Sequence, residues 1–335
     1  MDIMKDNHFK VRIQCMTYNQ APYIEDAMNG FCIQQTDFPF LAVVVDDAST
    51  DGEQDVIKNY LVEHFDNEAL DLPTPDETDE YVRMFARHKE NKNCYFLVMF
   101  LKYNHYSIKK AKLVSVADLI RPIPYIALCE GDDYWTDPRK LQRQVDFLEG
   151  HEDVCVCFHR VNVVVPNESK MIEDYHVIDV PGESSMIDLA KIGNYIPTNS
   201  AVYRNDRRVH ADIKRFGTNP IGDYLLWMMC AQYGKIYKMS DNMAVYRYGV
   251  GSWQTKPKVF QYINILNLLN CLRMVVLDFQ VIKVLDDRIN DMTSQIINME
   301  REDKEQLKKI KESPTYRLGC FIAKPMNWVR KILNK

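Results

Sequence analysis

Paired carboxylates are the feature of this sequence that most directly suggests chemistry. Asp46-Asp47 follows the β-branched run Leu41-Ala-Val-Val-Val45, and Asp132-Asp133 follows the apolar run Tyr125-Ile-Ala-Leu-Cys129 by three residues. Adjacent carboxylates repel, so a fold keeps them together only where a cation or donor groups compensate. Oxygen-only ligands of this kind suit Mg²⁺ or Mn²⁺, which commonly bridge protein carboxylates and substrate phosphates. Each pair also has a purely structural reading, because Asp is a favoured residue at a helix N-terminus. Two pairs at corresponding strand ends weigh toward a site, since open α/β sheets bind ligands beyond the carboxyl ends of their strands.

The elements that must hold these acids alternate along the first half of the chain. Val11–Met16 reads as a strand that breaks at Thr17-Tyr-Asn-Gln-Ala-Pro22, and a helix follows from Tyr23 to about Gln34. Leu41–Val45 is a strand buried on both faces, and a helix continues through Ile57 and Tyr60. Strand, polar turn and helix in repetition predict a parallel α/β sheet. Residues 66–80 are acidic and contain prolines, which predicts a solvated loop. Further strands are expected at 95–101, 125–129 and 154–165, with a helix from Pro138 through Leu148. Past Trp253 the pattern is helical. Ile282, Leu285, Ile289, Met292, Ile296 and Met299 form an apolar seam that fades at Asp303 and Gln306 before Ile310. That seam predicts a long amphipathic helix and allows a homodimer through 282–310.

With these elements in place, the motifs resemble the inverting family 2 glycosyltransferases of the GT-A fold, of the bacterial polysaccharide-biosynthesis type. They are Thr17-Tyr18-Asn19, Val45-Asp46-Asp47-Ala-Ser49-Thr50-Asp51-Gly52, Glu130-Gly-Asp132-Asp133-Tyr-Trp135-Thr-Asp-Pro138-Arg-Lys140-Leu141, Gly222-Asp223-Tyr-Leu225-Leu-Trp227 and Met243-Ala-Val-Tyr246-Arg247. The resemblance spans about residues 10–255, with the motifs in the family's order. It implies a Rossmann-like, mostly parallel central sheet flanked by helices, with a C-terminal helical extension. Expected boundaries are 1–255 for the catalytic domain, 256–312 for the helical extension and 313–335 for a basic tail.

Carried over residue by residue, the resemblance implies that Tyr18 and Asp47 contact the nucleotide base, most often uracil, while Thr17 and Asn19 hold that loop or the donor. Asp133 is implied as the Mn²⁺ or Mg²⁺ ligand and Asp132 as the residue nearer the ribose or sugar. Lys110, in Asn104-His-Tyr-Ser107-Ile-Lys-Lys110, is implied as a phosphate contact. Asp223 matches the family's catalytic base; its structural reading is the N-cap of a helix over 224–232. Trp135, Trp227 and Trp253 are candidates for a sugar platform, with Trp253 the best of them. One departure is present: the run Tyr246-Arg247-Tyr248-Gly-Val-Gly-Ser-Trp253 lacks the His that many relatives carry after the Tyr-Arg pair, which turns attention to Arg247 as the diphosphate contact.

Composition bounds the rest. The chain has 335 residues, 46% hydrophobic and 27% charged, which excludes collagen-like, disulfide-framework and disordered classes. Its formal charge of -5 gives no global field for nucleic acid, so no nucleic-acid partner is expected. The charge is uneven: Arg317, Lys324, Arg330, Lys331 and Lys335 give the last 22 residues +5 with no acid, leaving -10 on the residues before them. Bulky apolar residues interleave with these bases, the pattern of an interfacial anchor on anionic lipid. The same segment, Ser313-Pro-Thr-Tyr-Arg-Leu-Gly319, resembles the tail of glycosyltransferases that act on lipid-linked acceptors.

Nine scattered cysteines are expected as reduced thiols, and no secretory signal or spanning helix is legible. Together these features predict a cytoplasmic enzyme, peripheral on the inner face of the cell membrane. It would move one sugar from a UDP-sugar to a lipid-linked glycan acceptor of surface polysaccharide synthesis. The alternatives are a catalytically inactive glycosyltransferase-like binding protein and a metal-dependent nucleotidyltransferase.

Overall fold

The computed structural model describes residues 9–66, 76–166, 170–172, 180–216, 221–251, 253 and 255–312. The chain divides into two compact units, one running to Lys256 and one beginning at Pro257. The tail expected at 313–335 lies outside the described residues.

The first unit is built on strands β1 (Val11–Thr17), β2 (Phe40–Asp46), β3 (Asp76–Glu77), β4 (Tyr81–Arg87), β5 (Cys94–Leu101) and β6 (Tyr125–Leu128). It continues with β7 (Tyr134–Trp135), β8 (Val154–Val165), β9 (Lys170–Ile172), β10 (Glu183–Ser184), β11 (Val202–Arg204) and β12 (Lys235–Arg247). These described strands form one sheet in the order β10-β12-β8-β11-β6-β1-β2-β5-β4-β3, with β7 on β12 and β9 on β8. The centre, β6-β1-β2-β5, is parallel, and its register sets Thr17 level with Asp46 and Asp46 level with Phe100. Flanking pairs are antiparallel except β12 on β8, which is parallel with three register shifts.

Helices α1 (Ile24–Cys32), α2 (Glu53–His64), α3 (Ala117–Ile120), α4 (Lys140–Gly150), α5 (Met186–Ile192), α6 (Arg207–Arg215) and α7 (Gly222–Cys230) complete this unit. Successive side chains of a strand point to opposite faces, and β2 shows both faces packed. Phe40, Ala42 and Val44 join one core cluster with Ile24, Met28, Phe31, Ile57 and Leu61 of α1 and α2. Leu41, Val43 and Val45 join the other, against Val116 and Ile120. Strand β1 differs: Val11, Ile13 and Cys15 enter the first cluster, while Arg12, Gln14 and Met16 face a cavity. Packing of α1 leaves no room at Gly30, where a Cβ would stand 2.7 Å from the Trp135 backbone nitrogen.

The region expected as a solvated loop, 66–80, is described at Asp66 and from Asp76 on, and Asp76–Glu77 pairs with β4 as a short edge strand. The eight described cysteines are free thiols, seven buried and Cys271 exposed. The second unit contains α8 (Lys258–Val275) and α9 (Phe279–Glu312), which pack together with Arg273 paired to Asp286. Along the apolar seam Leu285 is buried, and Ile282, Ile289, Met292, Ile296 and Met299 are partly buried. No helix among the described residues is long and apolar enough to cross a membrane.

Candidate active site

The carboxyl ends of β1, β2 and β6 converge, and a residue absent from the sequence motifs ties two of them together. Glu53, fully buried at the start of α2, accepts from the Thr17 hydroxyl, from the Gln20 backbone N–H at 2.9 Å and from the Ser49 hydroxyl at 2.8 Å. Asn19 adopts a left-handed φ of 55°, donates its N–H to Ser49 Oγ at 2.9 Å and accepts from Thr50 N–H at 2.8 Å. Thr17 and Asn19 therefore hold the loop itself. Tyr18 between them is 45% exposed, an aromatic face open to a ligand.

The first acidic pair is turned into the protein. Asp46 accepts from Ser49 N–H at 3.2 Å and Gln54 Nε2 at 2.5 Å through Oδ1, while its buried Oδ2 has no partner and burial raises its pKa. Asp47 is 1% exposed and accepts three bonds: from His105 N–H at 2.7 Å, Tyr106 N–H at 3.1 Å and Lys112 Nζ at 2.9 Å. Asn104 Nδ2 holds the Asp47 carbonyl at 3.1 Å. A base N–H read by Asp47 would share the carboxylate with Lys112 and two backbone N–H groups. Lys110, the expected phosphate contact, instead pairs with Glu80 at 2.5 Å and Tyr103 Oη at 2.9 Å. Nothing in the spacing of Lys109, Lys110 and Lys112 singles out the last.

The second pair carries surplus charge. Asp133 is 1% exposed, with Oδ1 accepting the Arg247 backbone N–H at 2.8 Å; burial, and then Asp132, push its pKa well above the carboxylate range. Asp132 is raised as well, chiefly by burial, against the pull of Arg247 and a bond from Gln20. Gly131 lies so close to the β1 loop that a Cβ would collide with the Thr17 hydroxyl and stand 2.6 Å from Gln20 Oε1. Arg247 is itself a clamp: Nη1 donates to the Asp132 carbonyl at 2.8 Å and Nη2 pairs with Asp26, while the guanidinium lies over the Tyr23 and Tyr134 rings. Its charge is spent inside the protein.

Glu130 lines the cavity mouth and is exposed as a residue. Surrounding protein mass, followed by the Asp132 and Asp223 carboxylates, raises its carboxyl to about 7, with Lys112 opposing; water at the mouth moderates that push. Asp223 lines the same cavity of 810 Å³. It is not the N-cap of α7, which is Ile221, but stands in its first turn, where a carboxylate complements the helix dipole. Its Oδ2 accepts from Asn194 Nδ2 at 2.7 Å and Thr198 Oγ1 at 3.5 Å, and its Oδ1 from Tyr224 N–H at 2.8 Å.

The tryptophans separate. Trp135 is 2% exposed, donates to the Asn199 carbonyl at 2.8 Å and lies under the buried Lys140 ammonium at 4.1 Å, so it has no face for a sugar. Trp227 is buried against Tyr203. Trp253 is partly buried. Among the described residues no group of three acids, histidines or cysteines is arranged to hold a metal unaided. The donor set at Glu130, Asp132 and Asp133 fits a cation that completes its shell with substrate oxygens: hard carboxylates whose mutual repulsion Arg247 and Lys112 offset only in part.

No protein-family model matches the chain. Over 244 residues, 72% of its length, it is 32% identical to uncharacterized proteins of Mycobacterium bovis (Mb1547) and Mycobacterium tuberculosis (Rv1520), and it spans 60% of the length of each. Among solved structures, S. aureus TarS 1-349 in complex with UDP-GlcNAc matches with a TM-score of 0.53 at 18% identity, covering 94% of this chain and 81% of that one. The likeness is one of fold, and the fold is the GT-A architecture expected from the motifs.

Proposed function

We propose that this chain transfers a single sugar from a nucleotide-sugar, a UDP-sugar in the first instance, to a glycan acceptor with inversion at the anomeric carbon. The observation that carries the reading is the acidic cluster Glu130-Asp132-Asp133 at a strand end, electrostatically coupled to Asp223 across one cavity mouth. That a protein of the same fold, TarS, was solved with UDP-GlcNAc supports the choice of donor.

In this reading Tyr18 stacks on the base from its exposed position. Asp223 accepts the proton of the acceptor hydroxyl as that oxygen attacks the anomeric carbon from the side opposite the diphosphate, whose bond to the sugar breaks with the electron pair leaving on phosphate. Asn194 and Thr198 fix the carboxylate's orientation. Asp132 and Asp133 would hold Mn²⁺ or Mg²⁺, which supplies positive charge to the departing diphosphate. The Arg247 clamp keeps both acids on one turn.

A panel of nucleotide-sugars, screened for cation-dependent hydrolysis and transfer, tests the donor. Turnover by wild type that is lost in Asp223→Asn supports the reading, and transfer that survives this substitution overturns the base. Pyrophosphate release from a nucleoside triphosphate would select the nucleotidyltransferase alternative. A lipid-linked acceptor and a peripheral place on an anionic inner leaflet belong to the same proposal, through the basic residues 313–335. Co-sedimentation of the full chain and of residues 1–312 with anionic liposomes tests that part; equal binding overturns it.

A further inference from the structure

One face of β1 breaks the rule that the rest of the central sheet obeys. Where β2 presents apolar residues on both sides, β1 turns Arg12, Gln14 and Met16 into the 810 Å³ cavity. Arg12 is 6% exposed and joins no ion pair among the described residues. Its Nη2 reaches only the Gln14 side-chain oxygen at 3.3 Å, its Nε has no partner, and the remaining bond is to the Tyr203 hydroxyl. Burial without an acid pulls its pKa down, and its charge in turn adds to the burial that holds the nearby His210 imidazole below its ordinary pKa.

Isolated buried charges are costly, and cores do not keep them without a counter-charge. Arg207, His210 and Arg121 line the same cavity, Arg121 being paired with Asp118 at 3.2 Å. The cavity is thus polarised lengthwise, with Glu130 and Asp223 toward one end and arginines toward the other. Arg12 sits opposite Ile126 in the register, four residues before Glu130, which is about 13 Å along the strand.

We propose that Arg12, with Arg207 and His210, forms a subsite for an oxyanion on the acceptor, so that the enzyme selects acceptors carrying a phosphate or carboxylate remote from the hydroxyl presented to Asp223. This rests on the transferase reading for the word acceptor, but the anion site stands on its own geometry. The guanidinium fork suits either oxyanion through paired hydrogen bonds. The anion would supply the counter-charge that the fold withholds.

Thermal unfolding at low ionic strength, with UDP and Mg²⁺ saturating to fill the donor side, separates the possibilities. Inorganic phosphate and glucuronate are the probes, with chloride at matched ionic strength as the control. Phosphate, glucuronate or both should raise the Tm of wild type by about 3 °C at ten times the dissociation constant, and the larger response identifies the oxyanion. Arg12→Met should show no such rise and an unliganded Tm equal to or above that of wild type, because it removes an unpaired buried charge. A wild type blind to both anions overturns the inference, as does a response kept in Arg12→Met. If Arg12→Met does not fold, the Arg207→Gln/His210→Gln variant decides: a weakened anion shift supports the subsite, and an unchanged one overturns it. Should UDP itself fail to bind, the donor reading falls, and the same anion titration without UDP still tests Arg12.

Discussion

Asp46-Asp47 and Asp132-Asp133 are the same dipeptide, each at the carboxyl end of a buried parallel strand, yet the fold surrounds them differently. Around Asp47 it gathers two backbone N–H groups and Lys112, so that the carboxylate acts as the organiser of residues 104–112. Around Asp132-Asp133 it supplies the Arg247 backbone N–H, the Gln20 side chain and an arginine whose charge is shared with Asp26, while Glu130 adds further negative charge. Asp47 is satisfied, Asp46 keeps one buried oxygen without a partner, and Asp132-Asp133 is the pair proposed to take a cation. The donors gathered around each acid, not the residue type, distinguish Asp47 from the acids proposed for the site.

The largest expected effect breaks the second pair. Asp132→Asn and Asp133→Asn should each lower donor turnover by about 100-fold or more, the scale of losing one transition-state electrostatic contact. Asp133→Asn should at the same time raise the metal-free Tm, since its amide can still accept from Arg247 N–H and no longer carries a penalised charge. A loss of Tm together with activity would make Asp133 another structural acid and erase the contrast.

Breaking the first pair should do the reverse. Asp47→Asn is expected to cost about 2 kcal/mol of stability, the scale of hydrogen bonds to a charged group, measured by urea unfolding. Lys112→Met should be destabilising too, and the double variant less so than the sum, with a coupling of about 1 kcal/mol. Additive effects would mean that the Asp47–Lys112 pair contributes nothing.

pH sharpens the comparison. Folded-state pKa values of Asp132, Asp133 and Glu130 lie above their unfolded values, so their contribution to stability is complete below the unfolded pKa, near 4, and is lost as pH rises through the folded values. The stability of wild type relative to Asp133→Asn should therefore fall as pH increases from 4. Stabilisation by Mn²⁺ should grow as pH rises from 4 toward 7, while these raised carboxyls release their protons. A pH-independent Mn²⁺ shift would place the cation elsewhere. The smallest effect lies in the turn after the first pair: Ala48 has a φ of 62° without a side chain to support it, so Ala48→Gly should add up to about 1 kcal/mol.

What was legible in the sequence follows the same divide between local pattern and distant partner. Strands β2 up to Asp46, β5 and β6 are continuous apolar runs, β1 and β8 are apolar stretches broken by a few polar residues, and α1, α2 and α4 begin at turn residues, so their places could be read directly. Strand β12 could not, because Lys238, Ser240, Asp241 and Asn242 interrupt it where its register on β8 slips. Strand β4, next to the short edge strand β3, is mostly only partly buried and carries no clean signal. Within the site, motif acids were visible as residues but their environments were not. Glu53 and Lys112 act on Thr17 and Asp47 from 36 and 65 positions away, and no spacing rule connects such pairs. Trp135 reads as a sugar platform from its neighbours and is core because Gly30 lets α1 close over it.

Arg247 also has a temporal meaning. It lies at the end of the last strand, and its partner Asp26 is 221 positions earlier. Contacts of that sequence separation close late, because their loop entropy is met only after nearer pairings exist. On the ribosome, a nascent chain can lay down the β6-β1-β2-β5 centre well before residue 247 emerges, with Asp132 and Asp133 in place but unclamped. The turn proposed to bind metal and donor is then assembled only once the sheet has been completed through β12, and incomplete chains carry its residues without its geometry.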